Sequence, residues 1–128
     1  MKKALIIIDM QNDYFKNGTM ELKGIDEVLS QTSKLIKYAR EKEYKIYFVQ
    51  HFAIKENATF FLPNTQGVKL HKDLDIQNDM IIEKNYPNSF RNTNLKKELD
   101  NANINDLIIC GAMTHMCIDT TVRVGFDL

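Results

Sequence analysis

Short apolar runs alternate along the chain with stretches in which apolar residues recur every three or four positions. Four of the runs predict strands, over residues 4–8, 45–50, 80–84 and 106–110. The first run contains no polar residue, which is typical of a strand that is covered on both faces. Strands that alternate with helices build a parallel sheet with helices on its faces. The pattern therefore predicts an α/β fold.

Helical periodicity is clearest over residues 25–42, where six positions share one face: Val28, Leu29, Thr32, Leu35, Ile36 and Ala39. Residues 94–99 predict a short second helix. A third helix is predicted to start near Thr114, which suits an N-cap, and to run through Val122 to the chain end. Residues 51–79 show no strong period, and a segment of that length is typical of a lid or binding loop.

Length and charge limit the classes of function. A chain of 128 residues, 44% of them hydrophobic, is long enough to bury the core of one domain, and we take residues 1–128 as that domain. Seventeen basic residues balance seventeen acidic ones, so no surplus of charge favours nucleic acid or anionic lipid. We therefore expect a small-molecule or protein partner, and neither nucleic acid nor a membrane.

The amino terminus and the cysteines indicate the compartment. The apolar run after Met1 is broken by Asp9, so it predicts a strand rather than an export signal. No stretch approaches the roughly 20 apolar residues that span a bilayer. Cys110 and Cys117 are too few for a disulfide framework, and their spacing matches neither a zinc knuckle nor a CxxC redox pair. We expect a reducing, cytoplasmic location and interpret Cys110 as a small core residue.

Three polar residues fall where an open parallel sheet binds its ligands, beyond the carboxyl ends of the strands. Asp9 follows the first strand, Lys84 ends the third, and Cys117 lies in the first turn of the predicted third helix. A helix amino terminus and a nearby ammonium both stabilise a thiolate, the form of cysteine that attacks a carbonyl carbon. A carboxylate beside it can take the thiol proton and pass it to a leaving amine. Backbone N–H groups of residues 111–117 could hold the developing oxyanion.

The loop after the first strand supplies further candidates. Phe15 is interpreted as a residue that lines the substrate pocket, whereas Gln11 and Asp13 are interpreted as residues that fix the loop. Tyr14 and residues 60–61 belong either to the core or to a lid, and the sequence leaves both alternatives open.

Three blocks of sequence together resemble the isochorismatase-like hydrolase superfamily. They are residues 5–13 (LIIIDMQND), Glu83-Lys84 followed by Ser89-Phe90 and Thr93-Asn94-Leu95, and residues 107–121 (LIICGAMTHMCIDTT). Their order is more specific than any single block, and the resemblance covers nearly the whole chain. It implies a doubly wound, mainly parallel, Rossmann-like sheet. It also implies a catalytic triad of Asp9, Lys84 and Cys117 and a thioester-type intermediate.

The turn before Cys117 is expected to hold the oxyanion. The resemblance implies a cis peptide between Ala112 and Met113, which would aim the Met113 N–H into an oxyanion hole beside the N–H of Cys117. His115 is interpreted as a residue of the substrate-binding rim or of the helix terminus rather than as a dyad partner of Cys117, because positions two apart on a helix point in different directions.

The resemblance also narrows the reaction. Isochorismate-cleaving members lack the nucleophilic cysteine, so Cys117 favours the cysteine hydrolase branch, which cleaves amides and related C–N bonds. Nicotinamidases carry an Asp-x-His metal motif at the end of the second strand, where this chain reads Gln50-His51-Phe52-Ala53. Neither His51 nor His71 has a partner at metal-ligand spacing. We predict no metal, no other cofactor and a substrate other than nicotinamide.

Members of the superfamily usually continue with two further strands and their helices, so the resemblance implies a domain truncated at its carboxyl terminus. The fourth strand would then have an open edge, and open edges favour association. We therefore expect a homo-oligomer. The missing strands also keep a second interpretation open, a catalytically inactive binding or scaffold module.

A third interpretation is a phosphoacceptor receiver domain, which is also doubly wound and has acidic residues after its first strand. That class needs an aspartate at the end of its third strand, where this chain has Lys84. The enzyme and the inactive module are the alternatives that remain, and only an assay separates them, because the triad residues are all present.

Overall fold

A computed structural model describes residues 2–112 and Val122. Its elements are strand β1 (Lys3–Ile8), a 3-10 turn (Asn12–Tyr14), helix α1 (Ile25–Glu41), strands β2 (Lys45–His51) and β3 (Met80–Lys84), helix α2 (Leu95–Asn101) and strand β4 (Asp106–Gly111). The four predicted strands and the first two predicted helices are confirmed, each end within two residues of its prediction. The third predicted helix lies outside the described residues, except for Val122, which is helical. None of the described helices is both long and apolar enough to cross a membrane.

The strands form one parallel sheet in the order β3-β2-β1-β4. The predicted α/β fold with a mainly parallel sheet is therefore confirmed. β1 lies between β2 and β4, and its apolar residues are buried, as an unbroken apolar run predicts. Within residues 2–112, β4 pairs only with β1, and its other edge carries no strand there.

The two helices cover opposite faces of the sheet. Because alternate residues of a strand point to opposite faces, Ile7 packs in one apolar cluster with Ile36 of α1. Ile6 packs in a second cluster with Leu95 and Leu99 of α2. Burial of each such side chain contributes about 1.5–3 kcal/mol, so the two clusters together hold β1 and its carboxyl end in place.

The segment between β2 and β3 returns to the end of β1. The Gln11 amide donates to the carbonyl oxygens of His51 at 2.9 Å and Val68 at 2.7 Å, and its side-chain oxygen accepts from the His51 N–H at 2.8 Å. The Asp13 carboxylate accepts from the Phe61 N–H at 2.7 Å. Gln11 and Asp13 therefore fix the loops at this end of the sheet, as the sequence interpretation holds.

A charged contact ties the same segment to α1. The Arg40 guanidinium donates to the two carboxylate oxygens of Asp79 at 2.9 and 2.6 Å, and to the carbonyl oxygen of Asp75 at 2.6 Å. The hydrogen bonds from Arg40 lower the pKa of Asp79 below its ordinary value. Asp79 immediately precedes β3, so this contact helps to set the position of the strand that ends in Lys84.

Asp79→Asn is expected to lower the free energy of unfolding by about 1–2 kcal/mol, because it removes the charge from a two-point hydrogen-bonded pair that is mostly buried. Asp75→Asn is the matched control. The Asp75 side chain is 61% exposed and lies 3.4 Å from Arg40, so its replacement is expected to cost less than about 0.5 kcal/mol.

The contribution of Asp79 to stability is also expected to depend on pH. Because the pKa of Asp79 is lowered in the folded state, its stabilisation is present above the ordinary pKa and is lost as the pH falls through the folded-state value. Urea denaturation at pH 7 and in acid measures both effects. Equal losses for the Asp79 and Asp75 variants at pH 7 would contradict this assignment.

Candidate active site

Asp9 and Lys84 form a buried ion pair at the carboxyl ends of two strands. Asp9 follows β1, Lys84 ends β3, and the carboxylate and ammonium approach to 3.2 Å. Both side chains are fully buried. Taking two charges out of water is costly, and a fold tolerates it chiefly where each charge compensates the other. The structure thus brings together two of the three residues of the predicted triad.

Asp9 lies at a tight turn that follows β1. The Asp9 backbone is left-handed, with φ of 56°, and its carbonyl oxygen accepts a hydrogen bond from the Gln11 N–H at 2.8 Å. Aspartate is one of the few residues other than glycine that adopts this conformation readily. The Asp9 N–H still donates to the Val49 carbonyl oxygen of β2 at 3.0 Å, so the sheet pairing persists up to the turn.

His51, the last residue of β2, contacts Lys84. The two residues are paired in register across the sheet, and His51 Nδ1 lies 2.9 Å from Lys84 Nζ. Burial, and next the charge of Lys84, lower the pKa of His51 to about 4, so the ring is neutral at pH 7. The Lys84 ammonium also donates to the Tyr86 carbonyl oxygen at 3.0 Å.

The sequence pattern presents His51 only as a candidate metal ligand and does not assign it to the site. A signal for it exists, because His51 ends the second strand just as Asp9 follows the first and Lys84 ends the third. The contact itself depends on the pairing of β2 with β3, which the sequence pattern does not specify.

A cavity of about 450 Å³ opens beside the ion pair and is bordered by both Asp9 and His51. Most of its wall comes from residues 53–61, after β2, and residues 85–87, after β3. The apolar part of the wall consists of Tyr14, Ala53, Ile54, Ala58, Phe60, Phe61, Tyr86 and Pro87. Apolar walls with a few polar groups are typical of a small-molecule site. The segment between β2 and β3 therefore borders a cavity, which agrees with its interpretation as a binding loop.

Three aromatic rings connect this wall to the core. Tyr14 and Phe61 are both 1% exposed, and their ring centroids lie 4.7 Å apart. Phe60, which is half-buried, lies 5.0 Å from Phe61. Of the two alternatives, core or lid, Tyr14 and Phe61 belong to the core and also border the cavity.

Of the other predicted site residues, only Phe15 lies in the described part of the chain. Phe15 is 5% exposed, and its ring packs at a tilt against that of His71, with 4.2 Å between the ring centroids. It is absent from the described residues that line the cavity. Its role in substrate binding stays a prediction. Met113, His115 and Cys117 lie outside the described residues, as does the peptide predicted to be cis, so their roles also stay predictions.

Cys110 behaves as a core residue. It packs against the apolar cluster between the sheet and α1, and burial raises the pKa of its thiol to about 11, although a hydrogen bond with Thr32 opposes this effect. Its thiol is therefore a poor nucleophile at pH 7.

Residues 2–112 contain no group of three histidine, cysteine, aspartate or glutamate side chains arranged to hold a metal ion. His51 instead directs one ring nitrogen to Lys84. The predicted absence of a metal stays a prediction.

The family is decided by comparison of the sequence, since the model of the isochorismatase domain family matches residues 3–128. The chain belongs to the isochorismatase family. The resemblance inferred from its three sequence blocks is therefore confirmed. Among its relatives in this family is YddQ of Bacillus subtilis, 41% identical over 128 residues, an alignment that covers 99% of this chain and 71% of YddQ.

Two further family comparisons concern structure and activity. A solved isochorismatase-family protein from Oleispira antarctica superposes with a TM-score of 0.90 at 40% identity, over 98% of this chain and 68% of that one. The ureidoacrylate amidohydrolase RutB of Serratia proteamaculans is 28% identical over 159 residues, which cover 98% of this chain and 64% of RutB. The chain thus spans about two thirds of the length of these relatives.

Proposed function

We propose that the protein is a cysteine-dependent hydrolase that cleaves an amide or related C–N bond of a small molecule, with Cys117 as nucleophile. The observation that carries the proposal is the fully buried Asp9–Lys84 ion pair beside a cavity of about 450 Å³, at the strand ends where this sheet type binds ligands. Family membership supports it, since one relative is named as an amidohydrolase.

Asp9 is the better candidate for the base. Among the described residues, His51 also contacts the ion pair and borders the cavity, but its Nδ1 already lies 2.9 Å from Lys84 Nζ. A ring nitrogen that is already engaged by an ammonium is unsuited to accepting the proton of a thiol, and the other nitrogen of a neutral imidazole carries the ring proton. We therefore assign the transferred proton to the Asp9 carboxylate.

In the proposed first step, the Cys117 thiol gives its proton to Asp9 and the thiolate attacks the carbonyl carbon of the substrate. A C–S bond forms, and the backbone N–H groups of Met113 and Cys117 hold the oxyanion. As the C–N bond breaks, Asp9 returns the proton to the leaving nitrogen. Lys84 keeps the carboxylate oriented and stabilises the thiolate by its charge.

In the proposed second step, water attacks the thioester carbonyl carbon and Asp9 takes a proton from it. The C–S bond breaks, the thiolate recovers its proton, and the carboxylic acid leaves. The two steps consume one water and need no oxidant, reductant or cofactor.

Cys117 is expected to react with iodoacetamide well below pH 8, and at least about tenfold faster than Cys110, whose pKa is raised to about 11. Lys84→Met is expected to slow the alkylation of Cys117 by about tenfold or more at pH 7, because loss of a neighbouring ammonium raises a thiol pKa by about one unit or more. Asp9→Asn is expected to change the pH profile of the rate. Mass spectrometry of the two alkylated peptides measures both rates in one sample.

The matched control is Lys45→Met, which removes the same charge from an exposed position at the opposite, amino-terminal end of β2. It should label like the native chain. Labelling of Cys117 no faster than an ordinary exposed thiol would refute the activated nucleophile and favour the inactive binding module.

A further inference from the structure

His51 contacts the ion pair without being charged itself. It ends β2, which lies between β1 and β3, and it is paired in register with Lys84. Partners paired in register on one face of a sheet have adjacent side chains. The ring therefore lies directly beside the ammonium, with 2.9 Å between His51 Nδ1 and Lys84 Nζ.

The chemistry of the two groups fixes which of them donates. A lysine ammonium has three N–H donors and no acceptor. At 2.9 Å, His51 Nδ1 must therefore accept, and the single ring proton of the neutral imidazole must lie on Nε2. The contact thus selects one tautomer of His51.

We infer that His51 is a positioning residue, whose Nδ1 accepts a hydrogen bond from Lys84 and so holds the ammonium against the Asp9 carboxylate. The inference rests on the proposed function, because its purpose is to keep the charge of Lys84 where the nucleophile needs it. His51 acts through Lys84 and takes no part in the bond changes.

The surroundings of His51 suit this role. The Gln11 side chain forms two hydrogen bonds with the backbone of His51: it accepts from the His51 N–H at 2.8 Å and donates to the His51 carbonyl oxygen at 2.9 Å. The ring also lies 5.8 Å from the buried Phe61 ring. Both contacts limit the motion of His51, so its Nδ1 is a fixed acceptor rather than a mobile one.

A neutral acceptor serves Lys84 better than a second carboxylate would. A carboxylate at position 51 would attract the ammonium as strongly as Asp9 does and would compete with it for the contact. An imidazole orients the ammonium by one hydrogen bond and leaves the charge balance of the Asp9–Lys84 pair unchanged. The Lys84 ammonium therefore stays paired with the Asp9 carboxylate.

The first test is nitrogen-15 NMR of the imidazole rings across pH. The chain has three histidines, so the His51 signals can be assigned by their loss in a His51→Asn variant. We expect the Nε2–H tautomer of His51, with a titration midpoint near pH 4 that rises in Lys84→Met, where Asp9 is left as the neighbouring charge. An Nδ1–H tautomer, or a midpoint that does not move in Lys84→Met, would overturn the inference.

The second test compares two replacements of similar size. His51→Asn offers a side-chain oxygen near the place of Nδ1, whereas His51→Leu offers no acceptor. We expect His51→Leu to slow the alkylation of Cys117 by about tenfold, comparable to Lys84→Met, and His51→Asn to stay within about threefold of the native rate. Rescue by asparagine is not expected if the ring merely fills space.

The outcomes separate this inference from the proposed function. If Cys117 is not activated in the native chain, the proposed function fails, and the tautomer is still decided by NMR. If native Cys117 is activated and Cys117 of the His51→Leu variant is alkylated as fast as in the native chain, the positioning role is wrong. It is also wrong if the two replacements slow the alkylation of Cys117 equally. If circular dichroism shows that His51→Leu does not fold, the asparagine variant and the NMR titration decide.

Discussion

Lys84→Met is expected to lower the free energy of unfolding by about 3–5 kcal/mol, because it leaves the Asp9 carboxylate buried without its cation. Both side chains of the pair are fully buried, so water cannot replace the lost partner without opening the structure. The methionine fills most of the volume of the lysine stem, so the loss of stability is expected to result from the missing charge rather than from a cavity. Guanidinium chloride denaturation at pH 7 measures it.

The double variant Asp9→Asn/Lys84→Met provides the decisive comparison. Replacing both charges removes the uncompensated carboxylate, so we expect the double variant to be at least about 1–2 kcal/mol more stable than the sum of the single losses predicts. Lys45→Met is again the control for loss of a positive charge at an exposed site. Additive losses in the cycle would mean that the two charges do not stabilise each other.

Gly111→Ala is expected to cost about 3 kcal/mol or more, because the added Cβ would lie 2.1 Å from the carbonyl oxygen and 2.7 Å from the nitrogen of Ile8. Both of these are backbone atoms of β1, so no side chain can move aside to make room. Gly111 also has φ of 123°, which residues with a side chain rarely adopt. The strain falls where β4 pairs with the end of β1, immediately before Asp9.

Gly24→Ala separates the cost of the unusual backbone conformation from the cost of the steric clash with Ile8. Gly24 has φ of 78°, but a Cβ there would have nothing within 4 Å, so its replacement is expected to cost only about 1 kcal/mol. Thermal denaturation of both variants measures the difference. Similar losses would show that β1 and β4 can separate at little cost, against the expectation for Gly111.

Most of the secondary structure was predictable because it depends on local pattern. The run around Ile6 and Ile7 has no polar interruption, and only a strand covered on both faces suits it. The helix containing Ile36 follows from apolar residues that recur at three- and four-residue steps. The segment between β2 and β3 has no such period, and its course follows instead from hydrogen bonds to Gln11 and Asp13.

The candidate site was predictable only in part. Asp9 and Lys84 could be found because both lie at the carboxyl ends of strands, where parallel sheets bind ligands. Phe15 was predicted to line the pocket because it lies close to Asp9 in sequence; within the described residues its ring packs at a tilt against His71, and its role in substrate binding stays a prediction. The direction of a side chain after a tight turn depends on the backbone dihedral angles, such as the left-handed φ of Asp9.

The sequence by itself determined the strands, the first two helices and the family, because these follow from periodicity and from the order of three motifs. It also identified the acid and the lysine of the ion pair as chemically suited to one site. Only the tertiary structure decided that Asp9 and Lys84 are fully buried in contact, that the wall of the cavity comes from the segment after β2, and that His51 accepts a hydrogen bond from Lys84. Each of these depends on the strand order and on the pairing of β2 with β3, which join residues far apart in the chain and leave no periodic signal in it.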